Sequence, residues 1–169
     1  MKLYHKLPRG TYALYAGIIF IGIVLDQISK WLIATTFELH ESVPILKDVL
    51  HLTYVHNKGA AFGMLADQRW IFLVISSVTI LAVGAYLFLG HCEGVLNGIS
   101  LSMIVSGGIG NMIDRTVLGY VVDFIDFTLI DFAVFNIADS FVCVGAALLC
   151  ISLIGETRRE LRAEKGKKK

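Results

Sequence analysis

The sequence predicts an all-α membrane protein with a small β element: four transmembrane helices, plus a short extracytoplasmic β-sheet and an interfacial helix between helices 1 and 2. Three observations predict it. Hydrophobic residues make up 56% of the 169-residue chain and charged ones only 17%, well below the quarter usual in soluble domains. Mean hydropathy is +0.70. Four apolar runs each approach the ~20 residues that span a hydrocarbon core, and at this length one integral membrane domain, residues 1–169, accommodates them all.

The first span is expected at 11–34. A basic lead (Lys2, Lys6, Arg9) followed by an apolar run resembles a secretory signal. Asp26-Gln-Ile-Ser-Lys30 stands where a small-residue cleavage site belongs, and apolar residues resume after it, so the span is read as retained. Asp26 and Lys30, spaced i and i+4, share a helix face and can pair there. Residues 35–69 form the extracytoplasmic segment. Alternating apolar and polar residues between Ser42 and His56 indicate short strands. After Asn57-Lys-Gly59, the stretch Ala60-Ala-Phe-Gly-Met-Leu65 suits an amphipathic helix at the interface.

Spans two and three are expected at 70–89 and 95–113, both free of charge, and the fourth at 132–154. Asp139 falls inside that last run. A carboxylate near the centre of a membrane helix costs about 2.5–3.5 kcal/mol on insertion scales, so such a group is a functional-site hypothesis by default. Asn136 shares its helix face at i, i+3. Asn111, Asp114 and Arg115 cluster likewise at the end of span three. If spans three and four are antiparallel neighbours, the two groups converge, and Asp123, on the loop between them, can reach Asp139. Basic flanks at both ends, the second in a tail over 156–169, place both termini in the cytoplasm and the polar cluster outside.

The same inventory excludes other chemistries. The positive tail is a topology signal that touches anionic lipid rather than nucleic acid. Ser106-Gly107-Gly108-Ile109-Gly110 lacks the lysine of a phosphate loop. Cys92, Cys143 and Cys150 fit no disulfide framework, and no spacing suits a metal, so neither metal nor cofactor is expected. Two close carboxylates sharing one proton can activate water and protonate a carbonyl without either. The same acids also suit a proton relay in a small transporter. A third possibility is an assembly factor docking through Asn111, Asp114 and Arg115.

Five stretches together resemble the lipoprotein signal peptidase family (signal peptidase II), bacterial aspartic proteases of the inner membrane. They are Asp26-Gln-Ile-Ser-Lys30, Asn57-Lys-Gly-Ala-Ala-Phe62, Gly107-Gly-Ile-Gly-Asn-Met-Ile-Asp-Arg115, Gly119-Tyr-Val-Val-Asp-Phe-Ile125 and Phe135-Asn-Ile-Ala-Asp139. The resemblance implies a catalytic pair, Asp123 and Asp139. It implies that Asn57, Gly59, Phe62, Asn111, Arg115 and Asn136 shape the site and bind substrate, with Asp26, Lys30 and Asp114 in support. The implied substrate is a diacylglyceryl-modified prolipoprotein, cut just before its lipidated Cys, and the implied inhibitor is globomycin. Besides substrate and membrane lipid no partner is implied, and a monomer is expected. Many members carry a proline two residues before the Phe of the Phe-Asn-x-Ala-Asp motif, where this chain has Ala133.

Overall fold

The computed structural model describes residues 8–59, 68–130 and 132–167. Four helices and three strands follow in the order α1 (Arg9–Thr36), β1 (Ser42–Leu46), β2 (Leu50–Asn57), α2 (Arg69–Phe88), α3 (Val95–Val117), β3 (Val121–Asp126), a 3₁₀ turn (Thr128–Ile130) and α4 (Ile137–Lys167). All four helices are long and apolar enough to cross a bilayer. Their outward faces carry bare large apolar side chains, among them Phe20, Trp31, Leu81 and Ile151. Such a surface is costly in water and favourable against lipid tails. Ala60 to Leu65, the expected interfacial helix, lies outside the described residues, and Phe62 with it.

Helix α3 is the central element. More than half of its spanning window is buried inside the protein, against a small fraction for α2 and α4, and it packs against all three other helices. That burial explains why α3 tolerates Ser100, Ser102 and Ser106. Their hydroxyls donate to the carbonyls of Leu96 (2.8 Å), Gly98 (2.6 Å) and Ile19 (3.1 Å) respectively, so none of the three is left unpaired in the bilayer. Close approach comes from absent side chains. A Cβ on Gly107 would run into the Ala138 carbonyl oxygen and lie 2.7 Å from Val142 Cγ2, and one on Gly110 would run into the Asp26 carboxylate. Gly107→Ala is expected to lower stability by about 1–3 kcal/mol through overpacking, seen as a lower thermal unfolding midpoint in detergent.

The sheet is antiparallel with order β1-β2-β3. The first two strands form the expected hairpin, Val43 opposite Leu52, turning through Asp48 at φ 59°. The third strand differs from expectation: residues 121–126 are not a loop but pair with β2, Val55 opposite Asp123. Period-two alternation then divides their side chains. Val122 and Phe124 pack with Ile33 and Tyr54 in a buried cluster, while Asp123 points to the other face.

The last helix also differs. It begins at Ile137, five residues later than the apolar run suggests. Residues 132–136 are not helical, and Phe135 makes an isolated bridge to Ile125. Ala133 therefore lies outside the helix. Asp139 is in the first turn of α4, not seven residues inside a span. At the end of span three the helix continues past the expected limit at 113 to Val117, so Asp114 and Arg115 are helical.

Candidate active site

The first turn of α4 organises the site. A helix start leaves backbone N–H groups without intrahelical acceptors, and three side chains supply them here. Asn136 is the N-cap: its Oδ1 accepts the Asp139 N–H at 2.9 Å, while Asp139 Oδ2 accepts the Asn136 N–H at 3.2 Å. That reciprocal pair is a capping box built from Asn-x-x-Asp. The third acceptor comes from α1, where Asp26 Oδ1 takes the Ala138 N–H at 2.9 Å.

Asn136 has a further task. It is fully buried, and its Nδ2 donates to Asp123 Oδ1 at 2.6 Å and to Asn111 Oδ1 at 3.0 Å. One amide thus touches both candidate acids, Asp123 through its side chain and Asp139 through the cap. The remaining carboxylate oxygens are also occupied. Asn57 Nδ2 donates to Asp123 Oδ2 at 2.8 Å, and Asn111 Nδ2 donates to Asp139 Oδ1 at 2.7 Å. Asp123 is 2% exposed. Burial is the larger cause, and the negative charge of Asp139 the next, that push its pKa up to about 7 against the pull of the Asn57 and Asn136 hydrogen bonds. A carboxyl poised near neutrality in a polar cluster suits proton transfer.

Both acids line a cavity of about 680 Å³. Its walls are Gly107, Gly108 and Val142 on the helical side and Phe127, Phe132 and Phe135 on the other. The aromatic wall is itself packed, Phe127 stacking on Phe135 with centroids 5.9 Å apart. At the rim Arg115 donates to the Gly59 carbonyl at 3.1 Å and lies 4.8 Å over the Phe72 ring. Gly59 in turn donates its N–H to Asn57 Oδ1 at 2.9 Å. Arg115 therefore holds the turn that delivers Asn57.

Beneath the two acids, Lys30 forms the expected pair with Asp26 (2.9 Å) and a second one with Asp114 (3.1 Å). All three residues are buried. Every expected site residue among the described ones thus falls within one connected set. Gln27 was not singled out in the sequence, although it sits in the Asp26–Lys30 stretch. Its Nε2 donates to Asp26 Oδ2 at 3.1 Å and to Asp114 Oδ1 at 3.0 Å. An uncharged residue beside an ion pair gives no signal until its partner on another helix is known.

Asp126 is the near neighbour that does not join. Three residues along a strand, it points away from Asp123, and Thr53 Oγ1 donates to its Oδ2 at 2.7 Å. Asp126→Asn is expected to leave the rate of the site's chemistry within about threefold, since surface changes of this kind are worth about 0.5 kcal/mol.

Comparison with known proteins places the chain in a family. A profile of the family described as Signal peptidase (SPase) II matches residues 18–155. The chain is similar to a lipoprotein signal peptidase of Halothermothrix orenii, 46% identical over 136 residues, covering 80% of this chain and 92% of that one. It is similar to the lipoprotein signal peptidase of Brevibacillus brevis at 42% over 142 residues, covering 84% and 93%. Among solved structures it resembles a bacterial membrane enzyme determined by the in meso method at 2.3 Å, with a TM-score of 0.82 and 32% identity, covering 92% of this chain and 94% of the other.

Proposed function

The chain belongs to the signal peptidase II family, and from that footing we propose that it cuts diacylglyceryl-modified prolipoproteins just before the lipidated Cys, with Asp123 and Asp139 activating water. Membership makes it a peptidase, a hydrolase working on lipoprotein signal peptides, and a multi-pass membrane protein. It also displaces the transporter and assembly-factor readings of the same acids. The substrate bond, the mechanism and the orientation in the bilayer are the proposal.

The observation that carries it is that the buried Asn136 bonds both acids, Asp123 Oδ1 through its side-chain Nδ2 and Asp139 Oδ2 through its backbone N–H, beside an apolar-walled cavity that both acids line. Two carboxylates so placed hold one proton between them. The ionised member takes a proton from water as its oxygen attacks the scissile carbonyl. The protonated member donates to the carbonyl oxygen, giving a neutral tetrahedral diol without a covalent enzyme intermediate. Collapse then returns a proton to the leaving nitrogen. The site is at the end of the helices where α4 starts, which suits a substrate whose acyl chains stay in the outer leaflet. In that orientation the basic 156–167 end of α4 is cytoplasmic, in keeping with the positive-inside rule.

The defining experiment incubates purified protein in detergent with a diacylated prolipoprotein and follows the shortened product by mass. Cleavage at any other bond, or none, overturns the proposal. The pH profile is a second expectation. Asp123 holds its proton below about pH 7 and loses it above, and a pair with no proton cannot donate to the carbonyl. The value of kcat/KM should therefore decline about tenfold per pH unit above roughly pH 7. A profile level to pH 9 contradicts that assignment.

A further inference from the structure

Lys30 is 3% exposed and spends all three of its donors inside the protein, on Asp26 Oδ2 (2.9 Å), Asp114 Oδ2 (3.1 Å) and Asn111 Oδ1 (2.9 Å). Burying one cation with two anions is expensive, and an apolar filling of the same volume often serves stability as well or better. What an apolar filling does not do is fix three directions from one point. Each of the three acceptors of Lys30 makes a second bond to the segment carrying a candidate catalytic acid. Asp26 holds the N–H of Ala138, the residue before Asp139 (2.9 Å). Asp114 holds the N–H of Val122, the residue before Asp123 (3.1 Å). Asn111 donates to the Asp139 carboxylate itself (2.7 Å). Gln27 ties Asp26 to Asp114 from the other side.

We propose that Lys30, with Asp26 and Asp114, is a positioning clamp that sets the gap between Asp123 and Asp139, rather than only an ion pair that holds the helices together. The clamp joins α1 and α3 to the two elements, β3 and α4, that present the acids. Those elements have different origins, one a strand paired with β2 and one a helix start, so sheet pairing alone does not fix their separation. Lys30 also fixes which end of the Asn111 amide faces Asp139: its ammonium requires the oxygen, which leaves the NH₂ for the carboxylate. A misplacement of about 1 Å in such a pair costs on the order of 10²-fold in rate. The proposal rests on the two-carboxylate reading above, and goes beyond it in assigning Lys30 to rate rather than to substrate binding.

Lys30→Met alone leaves two buried carboxylates facing each other and risks unfolding. The informative variant is therefore Asp26→Asn/Lys30→Met/Asp114→Asn, which buries no charge and keeps an amide oxygen for each of Ala138 N–H and Val122 N–H. Both are compared with the native protein for thermal unfolding, kcat and KM on a diacylated prolipoprotein. The expected result is a folded triple variant whose kcat drops about 100-fold with KM within about threefold, since the cavity wall is untouched. A folded triple variant with kcat within threefold of native overturns the clamp, as does a change confined to KM. If neither variant folds, Lys30 serves stability alone and the clamp is equally overturned. Native protein and Asp139→Asn run in the same assay keep the two questions apart: native protein that does not cleave, or Asp139→Asn that does, refutes the two-carboxylate reading instead.

Discussion

Asp123→Asn and Asp139→Asn are each expected to reduce prolipoprotein cleavage by about 10³-fold or more while the protein remains folded and inserted. General acid–base groups contribute 10²–10⁴-fold each, and two that share one proton act as a unit, so losing either removes the whole effect. Survival of the fold follows from the local geometry. At 139 the backbone N–H still reaches Asn136 Oδ1. An asparagine side chain keeps one oxygen, which can accept from either Asn111 Nδ2 or the Asn136 N–H. The cost is one hydrogen bond of a cap, about 1 kcal/mol. At 123 the new amide likewise retains one of its two donors, Asn57 or Asn136, and no longer carries a charge whose burial the fold resists. The measurement is product formation beside a thermal melt. Robust cleavage by either variant removes that acid from the mechanism, and activity in Asp123→Asn with loss in Asp126→Asn would reassign the strand acid.

The helical frame was readable because lipid forces it. A span must be long, apolar and helical, so three of the four helices were located to within a few residues. The errors lie where apolar content stops discriminating between conformations. Residues 132–136 are as hydrophobic as the span that follows, yet not helical, because Phe135 exchanges hydrogen bonds with Ile125. The true start was written in Asn136 and Asp139, whose i, i+3 spacing at the head of an apolar run is a capping pattern. Read only as a shared helix face, the same spacing does not mark that start. The strand at 121–126 was hidden for a different reason. Val-Val-Asp-Phe-Ile-Asp is β-branched and aromatic enough, but its partner β2 lies some seventy residues earlier, and long-range pairing leaves no local trace. The polar cluster survived both errors because its members were chosen by the cost of burying them, which does not depend on the element that carries them. What the sequence did not contain was connectivity: that Arg115 serves Gly59, or that Asp26 caps another helix.

Asn136 offers the sharpest separation of those two layers, since it is both a helix cap and the bridge between the acids. Asn136→Ala removes the acceptor for the Asp139 N–H and the donor to Asp123 and Asn111 in one step. A lost N-cap costs about 1–2 kcal/mol, and the buried Asp123 Oδ1 left without its donor adds about 1–3 kcal/mol. Destabilisation of about 2–5 kcal/mol is expected, with cleavage reduced at least 10²-fold. Asn136→Asp divides these losses. Aspartate caps as well as asparagine, so the Asp139 N–H keeps its partner and the start of α4 should persist. The second carboxylate oxygen, however, then stands where Nδ2 was, 2.6 Å from Asp123 Oδ1 and 3.0 Å from Asn111 Oδ1. A third acid against the pair either repels it or takes up a proton, and in both cases the pair no longer divides one proton between two oxygens. Asn136→Asp is therefore expected to lose as much activity as Asn136→Ala with less loss of stability near pH 5, where the added acid can be protonated, than at pH 8. If Asn136→Asp instead cleaves at close to the native rate, the amide is a cap only, and the bridge between the two acids has no part in the chemistry.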